Sequence, residues 1–311
     1  MKNISVIIVS WNARAYLRDC LISLRETSAE VVCQIIVVDN ASNDGSPEMV
    51  AAEFPEVCLI QTGANLGFAR ANNLGIKQAS GSYLAFVNSD VVIHQGCFNF
   101  LLECLESNPN VGLVGPEVFG GDGKVQPTCR RLPTLWSTAV RALALDTVLP
   151  RHSQFSQQEV TGKDERSPQE VDVLSGCFWL ARREAVDQVG GLDERFFFYA
   201  EDVDWCKRFR DGRWKVMFVP AAHAIHFGGG SSANAPFRYS IELLRANLIY
   251  WKKHRGLLGQ AAFYALSVLH HSIRLASRSA KFILSKANKE NTFKLTRSYI
   301  CLRWLLTGKK A

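Results

Sequence analysis

The 311-residue chain lacks several features that decide a protein's class at once. It has no CxxC pair, and its nine cysteines are scattered and odd in number. That argues for reduced thiols in a cytoplasmic protein and against a disulfide framework or a zinc cluster. No GxGxxG turn follows the first apolar run, where Ser10-Trp11-Asn12-Ala13-Arg14 stands instead, so a nicotinamide-dependent oxidoreductase is disfavoured. Neither GxxxxGKS nor GxxxxGKT occurs, which removes a P-loop kinase. No apolar run reaches the roughly 20 residues that span a bilayer, since Gly256 to Leu269 is only about 14 long. Met1-Lys2-Asn3 leads straight into Ile4-Ser5-Val6-Ile7-Ile8-Val9, too short and too β-branched for a signal-peptide core, so a first buried strand is expected there. With 47% apolar and 21% charged residues, global disorder is excluded.

Acidic residues are scarce in one region only. Tyr239 to Ala311 holds 14 Lys and Arg against 2 Asp and Glu, whereas the rest of the chain holds 22 against 27. A basic appendage on a mildly acidic body implies an anionic partner. No nucleic-acid motif accompanies the charge. Arg274, Arg278 and Lys281 recur at helical spacing beside Ile273, Leu275 and Phe282, the composition of an interfacial helix on anionic lipid. A helical self-association module fits the same pattern, and the oligomeric state stays open.

What is present is an alternation of strands and helices. Buried runs at 4–9, Gln34 to Val38, Val57 to Gln61 and Ser82 to Val87 alternate with helical spacing over Asn12 to Arg25 and Phe68 to Ala79. This predicts an α/β fold with a mostly parallel, doubly wound central sheet, whose ligands sit beyond the carboxyl ends of the strands. Asp39 and Asp90 lie at such ends. Beyond Asn108-Pro109 the pattern loosens. Gly120 to Arg131 reads as a hairpin-like stretch, Ser153 to Glu170 as a mobile loop, Trp214 to Val219 as a strand capped by Pro220, and Gly228 to Ser232 as a flexible loop.

The densest chemistry is Phe196-Phe197-Phe198-Tyr199-Ala200-Glu201-Asp202-Val203-Asp204, with His226 downstream. Aromatic rings favour burial while clustered carboxylates repel one another, so the junction is expected at a pocket edge where a metal, a proton or a helix N-terminus offsets the repulsion. Val203, Cys206 and Phe209 are spaced for one face of a helix that Gly212 stops. An acidic helix start beside a core histidine is the rival reading.

Six segments in order carry a resemblance: Val38-Asp39-Asn40-Ala41-Ser42, Asn65 to Asn73, Asn88-Ser89-Asp90, Gly190 to Phe197, Glu201-Asp202-Val203-Asp204 and His226. Together they resemble family 2 glycosyltransferases, and within them the bacterial rhamnosyltransferase-like subgroup. The resemblance implies a GT-A fold over residues 1–236, with a nucleotide-sugar half of about 1–118 and an acceptor half of about 119–236. Residues 237–311 form a basic helical extension. It also implies a nucleoside-diphosphate sugar donor (dTDP-, UDP- or GDP-linked), a glycan or lipid-linked acceptor, a divalent cation (Mn2+ or Mg2+) and inversion at the anomeric carbon. The rhamnosyltransferase-like resemblance further implies rhamnose carried on dTDP.

On this reading Asp202 is the general base, and Gly176, Trp179, Glu201 and Asp204 lie on the acceptor side. Asp39 contacts base or ribose; Ser10, Asn12, Asn65, Gly67, Phe68 and Arg70 line the nucleotide-sugar pocket with Asn88, Ser89 and Asp90. Gly67 could serve the turn alone, and Arg70 could be a solvated helix residue. Asp90 and His226 are the metal ligands, with His223 as the alternative to His226. A nucleotide-sugar-binding protein without transfer activity is the alternative function. The setting implied is the cytoplasmic face of the membrane, with the tail on anionic lipid.

Overall fold

The computed structural model describes residues 3–27, 31–143, 145, 167–228, 236–284 and 289–308. In chain order its elements are β1 (Ile4–Ser10), α1 (Arg14–Thr27), β2 (Val32–Asp39), α2 (Ser46–Glu53), β3 (Cys58–Gln61), α3 (Phe68–Gln78), β4 (Tyr83–Asn88), β5 (Val91–Ile93), α4 (Cys97–Ser107), β6 (Val111–Phe119), β7 (Cys129–Arg130), α5 (Leu135–Ala142), β8 (Gln169–Glu170), β9 (Val173–Leu174), β10 (Phe178–Arg182), α6 (Arg183–Val189), α7 (Glu201–Asp211), β11 (Lys215–His226), α8 (Pro236–Leu284) and α9 (Lys289–Thr307). They fall into two compact units, residues 1–132 with 158–233, and residues 133–157 with 234–311. Of the first part of the second unit the described residues are 133–143 and 145, and helix α5 lies there.

In the first unit nine strands form one mixed sheet in the order β3-β2-β1-β4-β10-β6-β11-β5, with β8 beside β11. Strands β1 to β4 are parallel, and β10 is inserted antiparallel between β4 and β6. Helices cover both faces, so β1 reads as a continuous apolar run. Side chains nonetheless alternate between two cores. Val6 and Ile8 pack with Leu17, Leu21 and Val37, whereas Ile7 packs with Phe86, Trp179 and Trp205. A one-residue slip of β1 would exchange these faces, so the register is held firmly.

Three expectations need correction. Pro220 does not end the strand: β11 runs to His226, and its pairing with β6 skips from Val219↔Pro116 to His223↔Glu117. Prolines on both strands sit at this irregularity, where no ladder N–H is needed. Second, β5, α4 and the sheet strand β6 occupy 91–119, where no elements were expected. Third, Gln169–Glu170 is a short strand, while most of the expected loop at 153–170 and the glycines from Gly229 onward lie outside the described residues.

The second unit is helical. Gly256, at φ 68, interrupts α8, and no other described residue of that helix leaves the helical region. Helix α9 folds back on α8: the Tyr264 hydroxyl donates to the Leu305 carbonyl at 2.9 Å, and Leu244, Cys301 and Leu305 share a small core with Val268 and Trp304. Arg278, on the stripe expected to face lipid, donates to Ser298 Oγ at 2.6 Å. No helix among the described residues is long and apolar enough to cross a membrane.

Candidate active site

The carboxyl ends of β1, β2 and β4 lie side by side, with Ser10 opposite Asp39 and Val9 opposite Asn88. Asp39 is 2% exposed, and its Oδ2 accepts from the Ser42 amide at 3.0 Å. Its Oδ1 and the buried Ser10 Oγ have no partner among the described residues. An unsatisfied buried polar atom costs about 1–3 kcal/mol, so two on adjacent strand ends mark a place built for a polar ligand. Asn12, at φ 51, knits the neighbouring loop: its amide donates to Ser42 Oγ at 2.9 Å and its Oδ1 accepts from Asn43 at 2.8 Å.

Asn65 is a loop brace. Its Oδ1 accepts from the Gly67 amide at 3.0 Å and from Asn40 Nδ2 at 3.1 Å. Gly67 has φ 81, and a Cβ there would lie 2.5 Å from the Phe197 carbonyl oxygen, so only glycine fits. The Phe68 amide donates to that same carbonyl at 2.8 Å, and the Phe68 ring meets Phe198 edge-on. The nucleotide-side loop is thereby stitched to the aromatic run. Arg70 forms an exposed 3.8 Å pair with Glu194. Such pairs contribute little.

Asn88, Ser89 and Asp90 turn out of β4, and the Asp90 carbonyl accepts from the Phe227 amide at 3.0 Å. This ties the turn to the end of β11, where His226 Nε2 lies 3.2 Å from Asp90 Oδ1 and 3.5 Å from Asn88 Nδ2. His223 is directed elsewhere, 3.7 Å from Glu117, which favours His226 of the two histidines. Gln126 decides the imidazole's tautomer. The His226 carbonyl can only accept, so Gln126 Nε2 must donate to it, at 2.8 Å. Gln126 Oε1 then faces His226 Nδ1 at 3.0 Å, so Nδ1 carries a hydrogen, and in the neutral imidazole Nε2 presents the lone pair.

A lone pair and a carboxylate oxygen at 3.2 Å repel unless a proton or cation lies between them. Two cis ligands at about 2.1 Å from an octahedral ion stand about 3.0 Å apart, so the pair fits a divalent cation. Among the described residues no group of three or more His, Cys, Asp or Glu could hold a metal, so a cation at this pair would need further oxygen ligands from water or substrate.

The acidic helix start sorts its carboxylates. Tyr199 and Ala200 both have positive φ (72 and 61), a strained entry to α7 of the kind found at functional sites. Glu201 is 7% exposed with Oε2 unpaired; burial, then the charge of Asp202, pushes its carboxyl up to about 8. Asp204 is fully buried and accepts from Arg208 at 2.9 Å, and Arg208 also donates to the Val189 and Gly191 carbonyls. Trp179 is likewise fully buried against Phe86 and Trp205. Both had been expected on the acceptor side, and both are structural, because neither presents surface to a substrate.

Asp202 remains partly open, its side chain 13% exposed, and pairs with Arg130. A Cβ on Gly176 would lie 3.7 Å from Asp202 Cβ, and the adjacent Cys177 carbonyl accepts from the Asn88 amide at 2.9 Å. One turn at 175–177 therefore touches both Asp202 and the strand end that leads to Asp90. Gln126 and Arg130 escaped sequence reasoning. Both come from the Gly-rich stretch that read only as a hairpin, and no local pattern marks either.

The sequence profile described as Glycosyl transferase family 2 matches residues 5–190. The chain belongs to that family. It is a glycosyltransferase with the GT-A fold, not merely a binding protein. It is 32% identical over 245 residues, 74% of this chain and 78% of the relative, to an N-acetylglucosaminyl-diphospho-decaprenol L-rhamnosyltransferase of Mycobacterium tuberculosis. It is 25% identical to the dTDP-rhamnosyl transferase RfbF of Shigella flexneri, over 90% of each chain. Among solved structures it is similar to the mannosyltransferase PcManGT from Pyrobaculum calidifontis, determined with GDP-Man and Mn2+. That match has a TM-score of 0.57 and 15% identity, over 99% of this chain and 88% of the other.

Proposed function

We propose that this glycosyltransferase moves L-rhamnose from a dTDP-linked donor to a hydroxyl of a polyprenyl-diphosphate-linked sugar, at the cytoplasmic face of the membrane. The relatives' activities support the donor and acceptor classes. The observation that carries the catalytic reading is the sorting of carboxylates around one turn. Glu201 holds a proton at neutral pH, Asp204 is committed to Arg208, and Asp202 alone is open to a substrate.

In this reading Asp202 takes the proton from the acceptor hydroxyl as its oxygen bonds to the anomeric carbon and the bond to the donor diphosphate breaks. One displacement inverts the centre, so a single carboxylate suffices. Arg130 orients that carboxylate. Ser10 Oγ and Asp39 Oδ1, the two orphaned atoms, meet the nucleoside. Asp90 and His226 would hold a divalent cation, Mn2+ being favoured by the imidazole, and Gln126 would keep a neutral His226 turned so that Nε2 can bind it. Bound there, the cation neutralises charge on the departing diphosphate.

A panel of dTDP-, UDP- and GDP-sugars, read as nucleoside diphosphate released in the presence of polyprenyl-diphosphate-linked N-acetylglucosamine, tests this directly. Acceptor-dependent release is expected from dTDP-rhamnose. Release from another sugar alone would overturn the donor assignment, and acceptor-independent release would overturn the acceptor. We also assign the basic tail to anionic membrane. Failure of the full chain to co-sediment with phosphatidylglycerol vesicles would refute that part.

A further inference from the structure

The two halves of α8, before and after Gly256, double back on each other. Gln260 Nε2 donates to the Leu248 carbonyl at 3.3 Å, and the Trp251 and Phe263 rings stack with centroids 6.0 Å apart. Each pair is 12 residues apart in sequence, which an unbroken helix would hold about 18 Å apart. Gly256 permits the reversal, since φ 68 strains any residue with a side chain. Gly259 closes it, because a Cβ there would lie 2.3 Å from Arg255 Cβ. The result is a helical hairpin whose tip is 252–259.

The tip is apolar where it is open to solvent. Leu257 and Leu258 are 69% and 87% exposed, whereas Leu244, Trp251 and Phe263 in the arms are buried. Single exposed leucines are ordinary on a folded surface. This adjacent pair packs against neither core of the hairpin arms, and the chain places it beside charge of one sign. Lys252-Lys253-His254-Arg255 leads into it, Lys252 and Arg255 are exposed, and no Asp or Glu occurs in the sequence between Glu242 and Glu290. These solvated cations need no partner for stability. They decide which surface can approach the leucines.

We infer that the Leu257-Leu258 tip inserts into the interface of an anionic phospholipid bilayer, with Lys252 and Arg255 on the headgroups. The inference rests on the membrane assignment made above and names the element that makes the contact. Two leucines behind a cationic rim reach the boundary of headgroup and acyl chain, roughly 5–10 Å deep. They anchor without spanning, since no described helix is long and apolar enough to cross. Charge selects lipid over a second copy of the chain. Pairing two tips would bring like cations together, whereas an anionic leaflet attracts them.

Co-sedimentation of the full chain with phosphatidylglycerol and with phosphatidylcholine vesicles tests this. Leu257→Gln with Leu258→Gln should lower the partition coefficient on phosphatidylglycerol at least tenfold and make the remaining binding easier to remove with salt. Lys252→Gln with Arg255→Gln should lower it at least fivefold, toward the phosphatidylcholine value. All four side chains are exposed, so the unfolding midpoint should hold in both variants. Leu258→Trp keeps a large apolar group at the tip and gives a second readout: its emission should shift to the blue on phosphatidylglycerol vesicles, beyond any change in the wild type. If the intact chain binds no vesicles, the membrane assignment and this inference fall together. If it binds and the leucine variant binds equally, or the Leu258→Trp emission does not move, this inference falls alone. A dimer of the intact chain that light scattering shows to dissociate in the leucine variant would also overturn it, by assigning the tip to a second copy.

Discussion

In the sheet-containing unit two carboxylates meet cations, Asp204 with Arg208 and Asp202 with Arg130, burial and Asp202 push the Glu201 carboxyl up, and buried Asp39 has no cation beside it among the described residues. In the helical unit Arg274, Arg278 and Arg297 crowd one another, with no carboxylate among them in the described residues. The first arrangement fixes side chains before a substrate arrives, as transfer chemistry needs. The second stores repulsion that an anion can relieve, as a binding surface needs.

The comparison breaks most visibly at Asp202. Asp202→Asn should lower the transfer rate by about 10²–10⁴ while donor affinity stays within a few-fold, because only the proton acceptor is lost. Retention of more than half the wild-type kcat would move the base to another group. A smaller effect is expected from Gln126→Leu, which releases the His226 tautomer without touching a ligand. Loss of such an outer partner typically weakens metal affinity about 10–100-fold, measurable by titrating Mn2+ binding in the presence of dTDP. Unchanged affinity there would mean that the Gln126 bonds are only structural.

Glu201 sharpens the comparison through pH. Its carboxyl sits at about 8 in the fold against 4.5 for an unhindered glutamate, so folding takes up a proton between those values. The stability it carries is complete below about pH 4.5 and drains as pH rises toward about 8. Thermal unfolding from pH 6 to 9 should show a falling midpoint that Glu201→Gln flattens, by at most about 1.4 kcal/mol per pH unit. A parallel decline in both proteins would remove Glu201 as the cause.

The smallest effect lies in the helical unit. Arg274 and Arg278 are like charges four apart on α8, so Arg274→Gln should stabilise the unit by roughly 0.2–0.5 kcal/mol, and less in high salt. Denaturant unfolding at low and high ionic strength checks the sign. A clear loss of stability would show that these arginines are compensated after all.

Much of the first unit was legible in the chain. The β-branched runs that became β1, β2 and β4 placed Ser10, Asp39 and Asn88 at neighbouring strand ends, because parallel strands separated by helices bring their carboxyl ends to one edge. Strand β6 was not legible, since Pro116 argues against a sheet strand until Pro220 is seen at the same irregularity. Helix α9 was legible as a helix but not as a partner of α8, because periodicity shows a buried face and not what covers it.

The sequence by itself determined the alternating order of elements, the acidic start of α7, the basic C-terminal segment and the residue types that place the chain in its family. Each of these is written in neighbouring residues, as a period, a run or a spacing. Only the tertiary structure decided which carboxylate stays open, which histidine faces Asp90, and that Arg130 and Gln126 support them. Those choices rest on contacts between Arg130 and Asp202, 72 residues apart, and between Gln126 and His226, 100 residues apart. Burial and charge pairing over such separations are settled by how the whole sheet packs, and they leave no periodic trace along the chain.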